Sequence, residues 1–139
     1  MSDPRKLEPG LRYLLAFAMT AVGVLHFVNP GPFVELMPRA FPEATRVPLV
    51  LLSGVFEVLG GVGLLPQRSR RFSAFGLMAL YLAVFPANIR MALDPEHFHV
   101  PVAVAWGRLP FQFLFLAWAY RYTRPQPPNR EPSQPGTVS

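Results

Sequence analysis

The chain has 139 residues, of which 51% are hydrophobic and only 15% charged. That length holds a single core, and the charge falls below the roughly one quarter usual for soluble chains. The absence of cysteine excludes disulfides, thiolate metal sites, iron–sulfur clusters and any thiol relay run by the chain itself. The formal net charge of +5 sits at the ends of apolar runs rather than along one face, so it is no nucleic-acid footprint.

In chain order, residues 1–10 form a polar N-terminal segment carrying Arg5 and Lys6. Residues 11–28 are the first apolar run. It exceeds the roughly 7–15 apolar residues of a cleaved signal peptide, and Ala21-Val22-Gly23 is a weak cleavage signal, so the run reads as a retained helix. Asn29-Pro30-Gly31-Pro32 is a turn. Phe33, Leu36 and Met37 follow at i, i+3 and i+4, the spacing of a short amphipathic helix lying on the surface. Residues 48–65 are a second run with Glu57 halfway along it. Residues 72–93 are a third, interrupted late by Pro86, Asn88 and Arg90. Residues 100–122 are a fourth, which spans if it kinks at Pro110. Each is long enough for the ~20 residues that cross a ~30 Å hydrocarbon core. The proline-rich residues 123–139 cannot bury enough surface to offset their ordering entropy and are expected to be disordered.

A soluble bundle would need a polar outer face on each helix. Between Leu11 and Leu25 only Arg12 and Thr20 are polar, and between Phe72 and Pro86 only Ser73 and the amphipathic Tyr81. The expected fold is therefore all-α: an integral membrane four-helix bundle over residues 11–122. Nine of the 13 basic residues flank the N-terminal, second-to-third and C-terminal segments, leaving Arg39, Arg46, Arg90 and Arg108 for the opposite side. The positive-inside rule then places both termini in the cytoplasm. The lipid bilayer is thus the first expected partner, in a multi-pass protein of a bacterial inner membrane, and nucleic acid is not a partner.

Polar groups inside the spans are the informative exceptions. A carboxylate at the bilayer centre costs about 2.5–3.5 kcal/mol even on insertion scales, so Glu57 must face the bundle interior, protonated or paired. Ser53, Glu57, Gly61 and Leu64 share one helical face, with Gly60 beside it, which lets another helix approach closely. The topology brings His26, Asn88, Arg108 and Gln112 to the outer half of the bundle, where polar groups of all four helices can meet. Arg108 is the expected partner of Glu57, because a planar guanidinium suits a desolvated carboxylate. Arg90 is expected to snorkel to the interface. Each member also has a structural reading: His26 as a helix-end hydrogen bond, Glu57–Arg108 as an ion pair that only fixes packing, and Asn88 and Gln112 as interhelical hydrogen bonds. Asp94-Pro95-Glu96-His97-Phe98-His99 lacks the spacing of a zinc site, so no metal is expected.

Four strings resemble those of DoxX-like membrane proteins. These are Leu25-His26-Phe27 with Pro30, Phe33 and Pro38; Ser53-Gly54-Val55-Phe56-Glu57 with Gly60-Gly61-Val62-Gly63; Phe85-Pro86-Ala87-Asn88-Ile89-Arg90; and Arg108-Leu109-Pro110-Phe111-Gln112. The resemblance implies a small four-helix inner-membrane protein and a quinone-linked redox role, with a quinone as the cofactor and a redox subunit as a partner.

On this reading Glu57 and His26 are the catalytic residues, able to exchange protons beside a carbonyl acceptor. Asn88, Arg108 and Gln112 bind the ligand, a quinone or a small oxyanion. Two alternatives stay open. One is a non-enzymatic scaffold or accessory subunit whose polar cluster fixes packing; the other is a small transporter subunit completed by homo-oligomerisation.

Overall fold

A computed structural model describes residues 4–125, and among these residues every regular element is a helix. The order is α1 (Pro4–Val28), α2 (Gly31–Leu36), α3 (Glu43–Gly63), α4 (Arg70–Leu93) and α5 (Val102–Arg121). The four long helices are each long and apolar enough to cross a membrane. The disorder expected of residues 123–139 lies outside the described residues from 126 onward. Its first residue does not behave that way: Thr123 is buried, and its carbonyl accepts a 2.8 Å hydrogen bond from Arg71 Nε.

The first three long helices start earlier than the apolar runs alone imply, and α5 lies within its run. α1 reaches back into the polar segment, to Pro4, and α3 begins at Glu43, directly after Pro42. α5 likewise begins directly after Pro101. A proline at these positions sets the backbone and loses no intrahelical hydrogen bond. Pro48, Pro86 and Pro110 lie inside α3, α4 and α5, and each helix continues through its proline. Surrounding helices and apolar packing hold the backbone where propensity alone would break it.

Outward faces are apolar. Phe17 and Phe72, 72% and 82% exposed, point away from the bundle, and an apolar exterior of this kind suits hydrocarbon rather than water. α1 packs on α3, α3 on α4 and α4 on α5, while α2 leans on α3 and α4. Near the chain ends the long helices meet in a core that includes Leu15, Met19, Leu64, Leu77, Tyr81 and Ala119. Arg121 pairs with Glu8 at 2.8 Å, so the start of α1 and the end of α5 lie together. A smaller cluster at the opposite end joins Met91, Phe98 and Ala105.

The α1–α3 contact is unusually close. A β-carbon on Gly23 would lie 2.8 Å from the Gly54 carbonyl oxygen, and one on Gly54 would lie 2.7 Å from His26 Cβ and 2.9 Å from the Gly23 carbonyl oxygen. Only glycine lets the two backbones approach this far. Further along, Gly61 meets the backbone of Ala16 and Thr20, while Gly60 receives the side chain of Leu77 from α4. Gly54→Ala should therefore destabilise the protein by about 1–3 kcal/mol through overpacking. Gly76→Ala, whose added carbon meets nothing within 4 Å, should be neutral or stabilising. Thermal unfolding of both variants in detergent tests the contrast.

Candidate functional site

Beyond Met19 and Tyr81 the core gives way to a cavity of about 690 Å³ between the four long helices. His26, Glu57, Asn88, Arg108 and Gln112 all line it. They do not form one network. His26 and Glu57 pair across α1 and α3, Asn88 and Gln112 pair across α4 and α5, and Arg108 stands apart.

The first pair depends on the glycine contact, since Gly54 lies one turn before Glu57 and directly against His26. His26 Nδ1 is 2.9 Å from the Val22 carbonyl oxygen and 3.1 Å from Glu57 Oε2. Two oxygens so near require a proton on Nδ1. That hydrogen points at Val22, so Oε2 has no donor aligned on it despite its proximity. Both side chains are at least nine-tenths buried. Two proton placements fit: imidazolium beside carboxylate, or neutral imidazole beside carboxylic acid. Each is neutral overall, which an apolar surrounding tolerates far better than a lone charge. Ser53 stands one turn from Glu57 on the same wall, and its Oγ is buried without a hydrogen-bond partner.

The second group is fully tied. Asn88 Nδ2 donates to Gln112 Oε1 at 2.5 Å, and Gln112 Nε2 donates to the Tyr81 carbonyl. The Tyr81 hydroxyl in turn donates to Met19 Sδ. These links knit α4 to α5 and α4 to α1.

Arg108 corrects an expectation. It does not reach Glu57. Its side chain is exposed and its Nη1 contacts Met91 Sδ at 3.7 Å. The reason is the packing order: α5 lies on α4 rather than on α3, and the interior position one turn deeper is filled by Gln112. The charged guanidinium stays at the rim, where it keeps its solvation.

The short helix α2 is also placed differently from a helix lying flat on a surface. Phe33, Leu36 and Met37 line the cavity, and the Phe33 ring stacks on His26 at 3.8 Å between centroids. α2 is thus a cover over the polar wall. Arg90 fastens it. Its Nη1 donates to the carbonyls of Glu35, at 3.3 Å, and of Met37, and its guanidinium lies 5.3 Å over the Phe98 ring. Elsewhere the cavity rim carries Leu52, Phe56 and Phe111, about half exposed or more, so its mouth is apolar.

Residues 15–123 match the family model of a domain of unknown function, DUF8561. No curated protein and no solved structure matches the chain.

The cover and its clamp make a separate expectation. Arg90→Gln removes the charge-assisted bonds to the end of α2, each worth about 1.5–3 kcal/mol in a protein interior. Hydrogen–deuterium exchange across residues 31–37 should rise by about tenfold or more, while exchange at the α1–α3 contact stays unchanged.

Proposed function

We propose that this chain, which belongs to the DUF8561 family, is a multi-pass inner-membrane protein that binds a small, uncharged, largely apolar molecule with a hydrogen-bonding head. A quinone is the ligand class that fits best. The observation that carries this reading is the polar wall: an unpartnered Ser53 hydroxyl beside the His26–Glu57 pair, inside a cavity lined mostly by apolar side chains. A buried hydroxyl without a partner costs about 1–3 kcal/mol, and a ligand carbonyl would satisfy it. The apolar mouth at Leu52, Phe56 and Phe111 admits a molecule already dissolved in lipid.

A bound quinone would supply an acceptor for electrons and protons. The chain's own residues hold the proton: the His26–Glu57 pair keeps one on either the imidazole or the carboxyl, and Ser53 orients the carbonyl. A small oxyanion is the poorer ligand, because the His26–Glu57 pair offers it no net positive charge and Arg108 stays at the cavity rim beside Met91. The DoxX-like resemblance and a redox partner subunit belong to this same reading, and a homo-oligomer belongs to the transporter alternative. The scaffold reading has one observation in its favour: Asn88 bonds to Gln112 and Gln112 to the Tyr81 carbonyl, links that bridge α4 and α5 without needing a ligand.

Ser53→Ala separates the two. Removing an orphan hydroxyl should leave the free protein as stable or slightly more stable. If the hydroxyl serves a ligand, affinity for a short-chain quinone should fall about fivefold, the value of one net hydrogen bond. Titration of the detergent-solubilised protein, read as a rise in unfolding temperature, tests this. Equal affinity in both proteins would sink the ligand reading, and no quinone response in either would leave the scaffold.

Both termini are proposed to face the cytoplasm. Because the chain has no cysteine, single substitutions report cleanly on side. Gln67→Cys should resist an impermeant maleimide in intact cells, and Glu96→Cys should react.

A further inference from the structure

The chain-terminal end of the bundle carries a second, different site. A pocket of about 250 Å³ lies where α4 begins and α5 ends, lined by Gln67, Arg70, Arg71, Tyr122, Arg124 and Pro125. A water's share of liquid volume is roughly 30 Å³, so the space exceeds what one bound water fills. Three guanidinium groups border it. Like charges this close repel, and a fold that collects them gains from an anion between them.

None of the three is paired with a carboxylate among the described residues. Arg70 is buried, with Nε and Nη2 reaching the Leu64 and Leu65 carbonyls at 3.3 and 3.4 Å. Arg71 Nε is held at 2.8 Å by the Thr123 carbonyl. Arg124 lies 5.6 Å over the Tyr120 ring. Each is therefore fixed through a carbonyl or a ring, contacts that leave its charge uncompensated. Among the described residues, the acid at this end, Glu8, is taken by Arg121. Tyr122 adds a phenol whose ionisation is pushed up by burial, so it remains a neutral donor; its present bond, to the Glu8 carbonyl, is long at 3.5 Å.

The surroundings identify the ligand's other half. Phe72 and Tyr120 stand exposed on the bundle exterior, one beside Arg71 and one beside Arg121, at the ends of apolar spans. A ligand seated among the arginines has its charge at the level of the helix ends and apolar surface next to it. Basic pockets between transmembrane helices at this level bind lipid head groups, and arginine is the side chain suited to phosphate oxygens.

We propose that this pocket binds the phosphate of an anionic phospholipid head group. Arg71 and Arg124 supply the direct contacts, Arg70 supplies charge from behind, and the acyl chains run along Phe72 and Tyr120. The site is independent of the cavity at the other end of the bundle, and its occupancy does not require any ligand there.

The full chain, stripped of lipid in mild detergent, is titrated with phosphatidylglycerol, with phosphatidylcholine and with inorganic phosphate, and binding is read by native mass spectrometry and by unfolding temperature. Phosphatidylglycerol should bind about tenfold more tightly than phosphatidylcholine, and Arg71→Gln with Arg124→Gln should abolish that preference. Arg39→Gln with Arg46→Gln, near α2, should keep it and so control for general loss of positive charge. Arg71→Lys with Arg124→Lys should retain part of it, which shows that the Gln variant's loss is electrostatic rather than a folding defect. Equal binding of the two lipids by the unaltered protein overturns the proposal. So does protection by inorganic phosphate matching that by phosphatidylglycerol, which would make the site one for free phosphate.

Discussion

The cavity's chemistry rests on how close α1 comes to α3. Gly23 and Gly54 place the two backbones in contact, and that contact sets the separation of His26 from Glu57, the residue one turn beyond Gly54. A side chain at either glycine would wedge the helices apart at the level of the pair. Glu57 would then be a buried carboxyl with no proton-sharing neighbour, the most expensive arrangement an apolar interior offers. The glycines thus act on the site without touching any ligand. They also explain why a carboxyl can stand there at all: the neutral pair removes most of the cost that the isolated group would carry.

What the sequence made legible follows from that cost. Hydrocarbon penalises every polar group, so the exceptions within the apolar runs marked themselves, and His26, Glu57, Asn88, Arg108 and Gln112 do line one cavity. Their pairing was not legible. Chemical suitability favoured Arg108 for Glu57, whereas packing order decided for His26, because α3 lies on α1 and α5 lies on α4. One signal was available: Gly23 and Gly54 both sit close in sequence to a buried polar residue, and small residues mark where helices approach. Ser53 was noted only as part of a helical face. Its significance is that its hydroxyl finds no partner, which no spacing rule can reveal.

The connection between α1 and α3 illustrates a second limit. Periodicity identified Phe33, Leu36 and Met37 as one apolar face, yet an apolar face is equally at home on a membrane surface and over a cavity. The choice was made by a residue far away in sequence. Arg90 donates to two carbonyls at the end of α2, groups that a short helix leaves unsatisfied. A guanidinium near a helix end can reach outward to the interface or inward to orphan carbonyls, and here the carbonyls are in range. The same two requirements, satisfying backbone acceptors and keeping a charge hydrated or bonded, explain Arg90 at the cover and Arg108 at the rim.

The two ends of the molecule handle charge in opposite ways, and the difference bears on what each can bind. At the cavity, positive and negative groups cancel locally: Glu57 has His26, the amides bond to each other, and Arg108 stays at the exposed rim. A charged ligand entering there would lose its hydration, which is why the ligand proposed for it is a neutral molecule. At the chain-terminal end the reverse holds. Arg70, Arg71 and Arg124 are positioned by carbonyls and a ring, contacts that orient a guanidinium without discharging it. Such an arrangement is costly when empty and favourable around an anion. The two proposals thus follow one contrast, a neutral head for the end where charges cancel and an anionic head for the end where they do not, and the apolar exterior between them suits ligands that partition into lipid.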